Sequence, residues 1–184
     1  LDKLKLYIKI YKGDFFLDSL NYFPITNENN SFLDLFRWKS KSEYNHFFTK
    51  EFFTNFNQDK SSFKIFDDVT ILGSSPGNNY FRNLLTFIPR ILFIPDRKIN
   101  LAIHRNSSNK LRKFIENVIK ARGISIKKIV YLDDGFYYFK NSLMPQFLTV
   151  RTCAEILNKT FKKDHKNKNR IYLTRKNANY RKIL

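Results

Sequence analysis

The sequence predicts an α/β fold, a mostly parallel sheet with flanking helices, on three observations. From Val69 onward, short apolar runs alternate with amphipathic ones in the rhythm strand, helix, strand, helix, strand. One amphipathic run, Leu111 to Ile119, keeps its apolar residues on a single helical face. The connections between runs are short and rich in Gly, Pro, Asn, Asp and Ser, which interrupt regular structure.

Residues 1–68 are the least legible and read as an N-terminal α+β extension. Lys5 to Tyr11 alternates lysine with Leu, Tyr and Ile, the pattern of a strand with one exposed face. Asn27 to Ser31 is a polar turn. Ser42 to Phe66 is thick in Phe, Asn and Lys and contains the pairs Phe47-Phe48 and Phe52-Phe53. Aromatics interleaved with lysines can stack single-stranded bases. The same pattern makes a core face beneath lysine stems.

Residues 69–163 read as one α/β domain. Val69 to Leu72 is a buried strand, ended by the turn-forming run Gly73-Ser-Ser-Pro-Gly77. Asn78 can cap a helix that turns Leu84, Leu85, Phe87 and Ile88 inward and stops near Pro89. Ile91 to Ile94 and Asn100 to Ile103 read as the next two strands. Ser107 or Ser108 then caps a helix whose Leu111, Phe114, Ile115, Val118 and Ile119 face inward, with Arg122-Gly123 as its basic last turn and glycine stop. Lys128 to Leu132 is a strand, Asp133-Asp134-Gly135 a plain hairpin turn, and Phe136 to Phe139 a further short strand. Val150 to Phe161 reads as a helix with Ala154, Ile156, Leu157 and Phe161 as its apolar members. Residues 164–184 hold a polar linker, Asp164 to Asn169, and a short strand, Ile171 to Leu173.

The chain has 184 residues, of which 34 are Lys or Arg and 16 are Asp or Glu, for a net charge of +18. Such an excess attracts polyanions: nucleic acid, an acidic membrane surface or phosphorylated substrates. The chain is also crowded with Asn, Ile, Phe, Tyr and Lys, the residues of A/T-rich codons, so coding bias alone can raise the charge. One cysteine, Cys153, permits no internal disulfide and no cysteine cluster for zinc. The histidines His46, His104 and His165 form no ligand spacing. No run approaches the ~20 apolar residues of a membrane helix. The chain begins at Leu1, and its one methionine is Met144, which leads us to expect a fragment of a longer protein.

Among candidate chemistries, Arg175 and Arg181 follow the strand Ile171 to Leu173. Ligands of alternating α/β folds collect beyond the carboxyl ends of strands, and a guanidinium fork matches phosphate oxygens bidentately. The same residues also fit a solvated basic tail. Gly73 to Asn79 could cradle a phosphate on backbone amides, but it has neither a G-x-G-x-x-G nor a GK[ST] spacing. Asp67-Asp68 and Asp133-Asp134 are adjacent carboxylates that point apart in extended chain, so no metal is expected. No serine sits in a G-x-S-x-G elbow, and Cys153 falls in an apolar helix as a structural thiol.

Two segments carry a family resemblance. The first is Gly77-Asn-Asn-Tyr-Phe-Arg-Asn-Leu-Leu-Thr-Phe-Ile-Pro-Arg-Ile91. The second is Arg170 to Leu184, with Tyr172, Arg175, Ala178, Arg181 and Ile183 in register. Together they resemble glycosyltransferase family 61, which includes bacterial capsular-polysaccharide transferases and eukaryotic xylosyl- and N-acetylglucosaminyl-transferases. The resemblance runs from about Val69 to Leu184. It implies half of a GT-B-like enzyme: a Rossmann-like, acceptor-side domain followed by the first strand of a donor-binding domain. The implied reaction is inverting, metal-independent transfer of a sugar from a nucleotide-sugar to a glycan or lipid-linked glycan, with no further cofactor. Arg175 and Arg181 would face the donor diphosphate, and Asn79, which matches, would line the cleft. Arg82 stands where the family has His, and Thr86 where it has Asp. On a helix these two share a face, so both are cleft-lining candidates, and the catalytic base is left unassigned. The lone cysteine and the lack of a visible signal peptide or membrane run make a reducing, cytoplasmic setting the default expectation, with the inner face of an anionic membrane as a further expected partner. The expectation from another class is a basic, non-catalytic module for nucleic acid or an anionic surface.

Overall fold

A computed structural model describes residues 10–26, 45, 48–73, 88–95 and 98–161, with backbone alone at 150 and 157–161. Seven strands form one sheet: β1 (Ile10–Asp18), β2 (Phe23–Ile25), β3 (Lys64–Asp67), β4 (Val69–Ile71), β5 (Lys98–His104), β6 (Ser125–Leu132) and β7 (Phe136–Pro145). The helices are α1 (Lys50–Asp59), continued by a 3-10 turn at Lys60–Ser62, then α2 (Ile88–Ile91), α3 (Asn109–Ala121) and α4 (Val150–Phe161). The sheet order is β2-β1-β7-β4-β5-β6, with β3 beside β7 ahead of β4. Strands β3 to β7 pair in parallel, whereas β1 runs antiparallel to both β2 and β7. The chain is therefore α/β with a mostly parallel sheet, and residues on both sides of Asp68 share it.

The strongest element follows from its sequence. Ser108 Oγ accepts a hydrogen bond from the Leu111 amide at 3.3 Å and so caps α3. Leu111, Ile115 and Ile119 are buried one above another against Ile99, Leu101 and Ile103 of β5. Each such side chain contributes roughly 1.5–3 kcal/mol by leaving water. Gly123 ends the helix at φ +76°, a conformation that costs a side-chain-bearing residue energy.

Three expectations are corrected. Ile91 to Ile94 is not a strand. Ile91 closes α2, and Leu92, Phe93 and Ile94 donate to the carbonyls of Pro89, Arg90 and Ile91 in successive tight turns. The helix ends at Ile91, close to Pro89 as expected. Ala154 is exposed, and Cys153 and Ile156 supply the inner face of α4 instead. The side chains of Leu157 and Phe161 lie outside the described set.

The third correction concerns Asp133-Asp134-Gly135, which does not close a hairpin. It joins β6 to β7, which run parallel with β4 and β5 between them. A parallel return in a flat sheet needs about a dozen residues. Three suffice here because the sheet curls over itself. Phe15, Leu17 and Phe139 of β1 and β7 meet Ala102, Val130 and Leu132 of β5 and β6 in one cluster. The bend lies at a single level of three neighbouring strands. Asp68, between β3 and β4, and Asn141 in β7 both adopt left-handed backbone, at φ +48° and +46°. The β1–β7 register slips between Gly13 and Phe15. At this seam Asn141 Nδ2 donates to Asp67 Oδ1 (3.1 Å), Val69 N to Ser142 Oγ (3.0 Å) and Asn100 Nδ2 to the Asp68 carbonyl (3.0 Å).

Strand β1 extends the expected Lys5–Tyr11 strand much further than sequence alone indicates, and residues 5–9 lie outside the described residues. Strand β7 likewise runs on to Pro145. The aromatic-rich stretch is a core. Phe48 and Phe56 are buried with Phe16, Phe23 and Ile25, and Phe52 and Phe53 pack half-buried against them. Lys60 lies over the rings of Phe16 (4.7 Å) and Phe56 (5.5 Å), so its stem and charge cover this cluster.

Candidate functional site at the carboxyl ends of the parallel strands

Strand order reverses at β4. The chain steps from β4 to β5 to β6 in one direction and then places β7 on β4's other side. In open α/β sheets that reversal opens a crevice beyond the carboxyl ends of the two diverging strands. Here those ends are Gly73, just past β4, and Pro145, the last residue of β7.

The side chain between these two strand ends is Arg90 of α2, which is 0% exposed. Its Nε and Nη2 donate to the Pro145 carbonyl (3.1 and 2.6 Å), and its Nη1 donates to the Gly73 carbonyl (2.8 Å). The guanidinium lies over the Phe147 ring at 4.0 Å. Two strand-end carbonyls thus share one planar donor. Burial pulls Arg90 down to about 9, which leaves it cationic at neutral pH. Its role is to tie the ends of β4 and β7 together, which leaves it no accessible face for a substrate. Cys153 is buried nearby, and desolvation raises its thiol to about 11, an inert structural thiol.

Tyr22 completes this end. It sits at φ +57° in the β1–β2 turn, fully buried, and its hydroxyl faces the His104 backbone without a hydrogen bond of good geometry. Burial raises its pKa. The ring lies against Gly73, where any Cβ would come within 2.2 Å of the Tyr22 oxygen. Gly73 is therefore required for close approach.

The other half of the rim is polar. His104 ends β5 and is 4% exposed. Its Nδ1 accepts from the Asn106 amide (3.1 Å), which assigns the ring proton to Nε2, and Nε2 meets Asp134 Oδ1 at 2.9 Å. Both ring nitrogens are engaged, so the pair locks the β5–α3 turn to the β6–β7 turn. The Asp134 side chain remains 55% exposed. Arg105 Nε meets Asp133 Oδ1 at 2.7 Å, and this contact holds the Asp133 carboxyl below its usual range while raising Arg105. The adjacent aspartates thus turn to different partners. Ser19 is fully buried and donates to the carbonyls of Asp133 (2.5 Å) and Gly135 (2.9 Å). Beside it, the Asp18 carboxylate accepts from the amides of Leu20 (3.0 Å) and Asn21 (3.4 Å) and from Asn21 Nδ2 (2.9 Å). Burial raises Asp18 above the ordinary carboxylate range despite these bonds.

Of the residues singled out from sequence, Arg175, Arg181, Asn79, Arg82 and Thr86 lie outside the described residues, as do Asn78 and the strand Ile171 to Leu173. The group His104, Asp134, Asp18 and Ser19 was not singled out. One signal pointed to half of it: His104 and Asp134 each fall at the carboxyl end of an apolar strand run, where α/β folds place functional groups. Among the described residues no three His, Cys, Asp or Glu side chains gather into a metal-binding cluster, and no helix is long and apolar enough to cross a membrane. The chain matches no family model, no curated protein and no solved structure.

Proposed function

We propose that the chain is part of a glycosyltransferase resembling family 61, one half of a GT-B-like enzyme that moves a sugar from a nucleotide-sugar to a glycan acceptor. The observation that carries this reading is a coincidence of motif and topology. The resembling segment Gly77 to Ile91 occupies the stretch of chain between Gly73, at the end of β4, and Ile91, the last residue of α2. It thus follows, in sequence, the strand at which sheet order reverses, and α/β enzymes gather substrate beyond such strands. Arg175 and Arg181, from the second segment, are the proposed donor-diphosphate ligands, and Asn79, Arg82 and Thr86 the proposed cleft-lining residues. Transfer would proceed with inversion and without a metal, as the resemblance implies. The catalytic base is unassigned, because His104 has both nitrogens engaged.

The other reading, a nucleic-acid module, keeps its charge but loses Phe48, Phe52, Phe53 and Phe56 as a stacking platform, since they are folded into the core. Calorimetric titration of the full-length protein with nucleoside diphosphates tests the preferred reading. Saturable binding, weakened at least tenfold by Arg175→Ala and by Arg181→Ala, is expected. Absence of nucleotide binding by the wild-type protein would overturn it.

A further inference from the structure

We propose that the unit β5–α3–β6 docks the protein onto an anionic lipid surface through the lysines of α3 and of the amino-terminal end of the β5–β6 pair. This stands independently of sugar transfer. Charge is unevenly placed in the fold. Between Lys98 and Leu132 there are nine Lys and Arg residues against a single acid, Glu116, whereas the remaining described residues carry eight against nine. This excess is not shared by the rest of the described fold.

The lysines form one continuous feature. Lys110, Lys113, Asn117 and Lys120 are exposed at helical spacing along the outer side of α3, with no acid in the row. The end of α3 leads into β6, where the register sets Ser125 beside Lys98 and Lys128 beside Asn100, with Lys127 as the extra residue of a bulge. Lys98, Lys127 and Lys128 are exposed there. Bulge and lysines also protect an edge strand from pairing, but edge protection does not account for the row on α3.

The chemistry of the cations selects the occupant. The three arginines of the unit are engaged: Arg105 with Asp133, Arg112 with the Arg105 carbonyl and the Tyr131 ring (4.7 Å), and Arg122 with the Leu92 carbonyl (3.3 Å). Outward charge is therefore carried by lysine, a hydrated point charge on a flexible stem, suited to a layer of headgroups more than to bidentate phosphate readout. No aromatic side chain of the unit is exposed, since Phe114 and Tyr131 pack against the core, so there is nothing on which to stack bases. Attachment through lysines alone is peripheral and salt-sensitive.

Vesicle co-sedimentation of the full chain tests this, with phosphatidylcholine vesicles compared with vesicles that also contain phosphatidylglycerol. The wild type should bind only the anionic vesicles. Joint Lys113→Glu, Lys120→Glu, Lys127→Glu and Lys128→Glu should weaken partitioning about a hundredfold or more, at about fivefold per lysine. A control with the same change in net charge, joint Lys12→Glu, Lys50→Glu, Lys64→Glu and Lys140→Glu, should weaken it less than about tenfold. Circular dichroism verifies folding of both sets, and Lys→Gln versions replace any that unfold. Equal losses from the two sets, or no preference for anionic vesicles, overturn the proposal. So does single-stranded oligonucleotide binding that the first set abolishes while vesicle binding persists.

Discussion

The Asp14 carboxylate accepts a hydrogen bond from the backbone amide of Asn141 at 2.8 Å, across the β1–β7 pair, at the level where the sheet bends. Its other oxygen meets the Tyr138 hydroxyl at 3.3 Å. The bend leaves the Asn141 amide without a ladder partner on β1, and Asp14 supplies one.

Asp14→Ala should therefore destabilise the protein by about 1–2 kcal/mol, the worth of a hydrogen bond to a charged acceptor in a partly solvated place. Position 141 makes a sharper test. At φ +46°, Asn141→Gly should stay within about 1 kcal/mol of wild type, because relief of strain offsets the lost bond to Asp67. Asn141→Val should cost about 1–3 kcal/mol, since a β-branched side chain resists that backbone. Urea midpoints at constant m-value provide the comparison, and equal midpoints for Gly and Val would show that the bend tolerates ordinary backbone.

Gly73 and Tyr22 form a pair that should respond asymmetrically. Tyr22→Phe removes a buried hydroxyl without a hydrogen bond of good geometry and should be neutral or stabilising, by up to about 1 kcal/mol. Gly73→Ala places a methyl 2.2 Å from the Tyr22 oxygen and 2.3 Å from ring carbon Cζ, and should cost about 2 kcal/mol or more. Because ring carbons clash as well, Tyr22→Phe should not rescue Gly73→Ala, whereas Tyr22→Ala should reduce its incremental cost. A double-mutant cycle by thermal denaturation reads this out. Full rescue by Tyr22→Phe would confine the contact to the hydroxyl.

Arg90→Met should destabilise by about 2–4 kcal/mol, because it strands the buried carbonyls of Gly73 and Pro145. Arg90→Lys should recover little. An ammonium cannot span two carbonyls as a planar fork does, and it loses the stack on Phe147. Melting temperatures of the three proteins rank this directly. A lysine variant as stable as wild type would mean that charge alone suffices there.

What the sequence shows about this fold depends on the range of the interactions involved. Helix α3 is legible from its period, its serine cap and its glycine stop, all local. Strand β4 is legible from four consecutive buried apolar or β-branched positions, Val69 to Leu72. By contrast, Phe136 to Pro145 looks like a short strand after a hairpin turn, yet it becomes the strand that β1, β3 and β4 all join. Its length is set by partners more than 60 residues away in sequence, and Asn141 hides its continuity because asparagine in mid-strand reads as a stop. The same limit applies at the rim. Arg90 reads as one more surface cation until Gly73 and Pro145 are brought to either side of it. His104 and Asp134 are 30 residues apart, and only the β5–β6 register joins them.

Asp18 sets a pH dependence whose sign can be worked out. Burial is the largest influence on its carboxyl and raises its folded pKa above the ordinary value of 3.8, with repulsion from Asp134 adding to it. The folded state therefore binds the proton more tightly than the unfolded chain does. The resulting stabilisation is complete below the unfolded pKa and is lost as pH rises through the folded one. Asp18→Asn keeps an acceptor for the Leu20 and Asn21 amides but cannot ionise. Relative to this variant, wild type should lose stability as pH rises from about 3.8, with a slope of at most about 1.4 kcal/mol per pH unit, and the difference should level off once Asp18 is fully ionised. Urea unfolding of both proteins between roughly pH 3 and pH 7 measures it. Parallel profiles would mean that the bonds from Leu20 and Asn21 balance the cost of burying the charge.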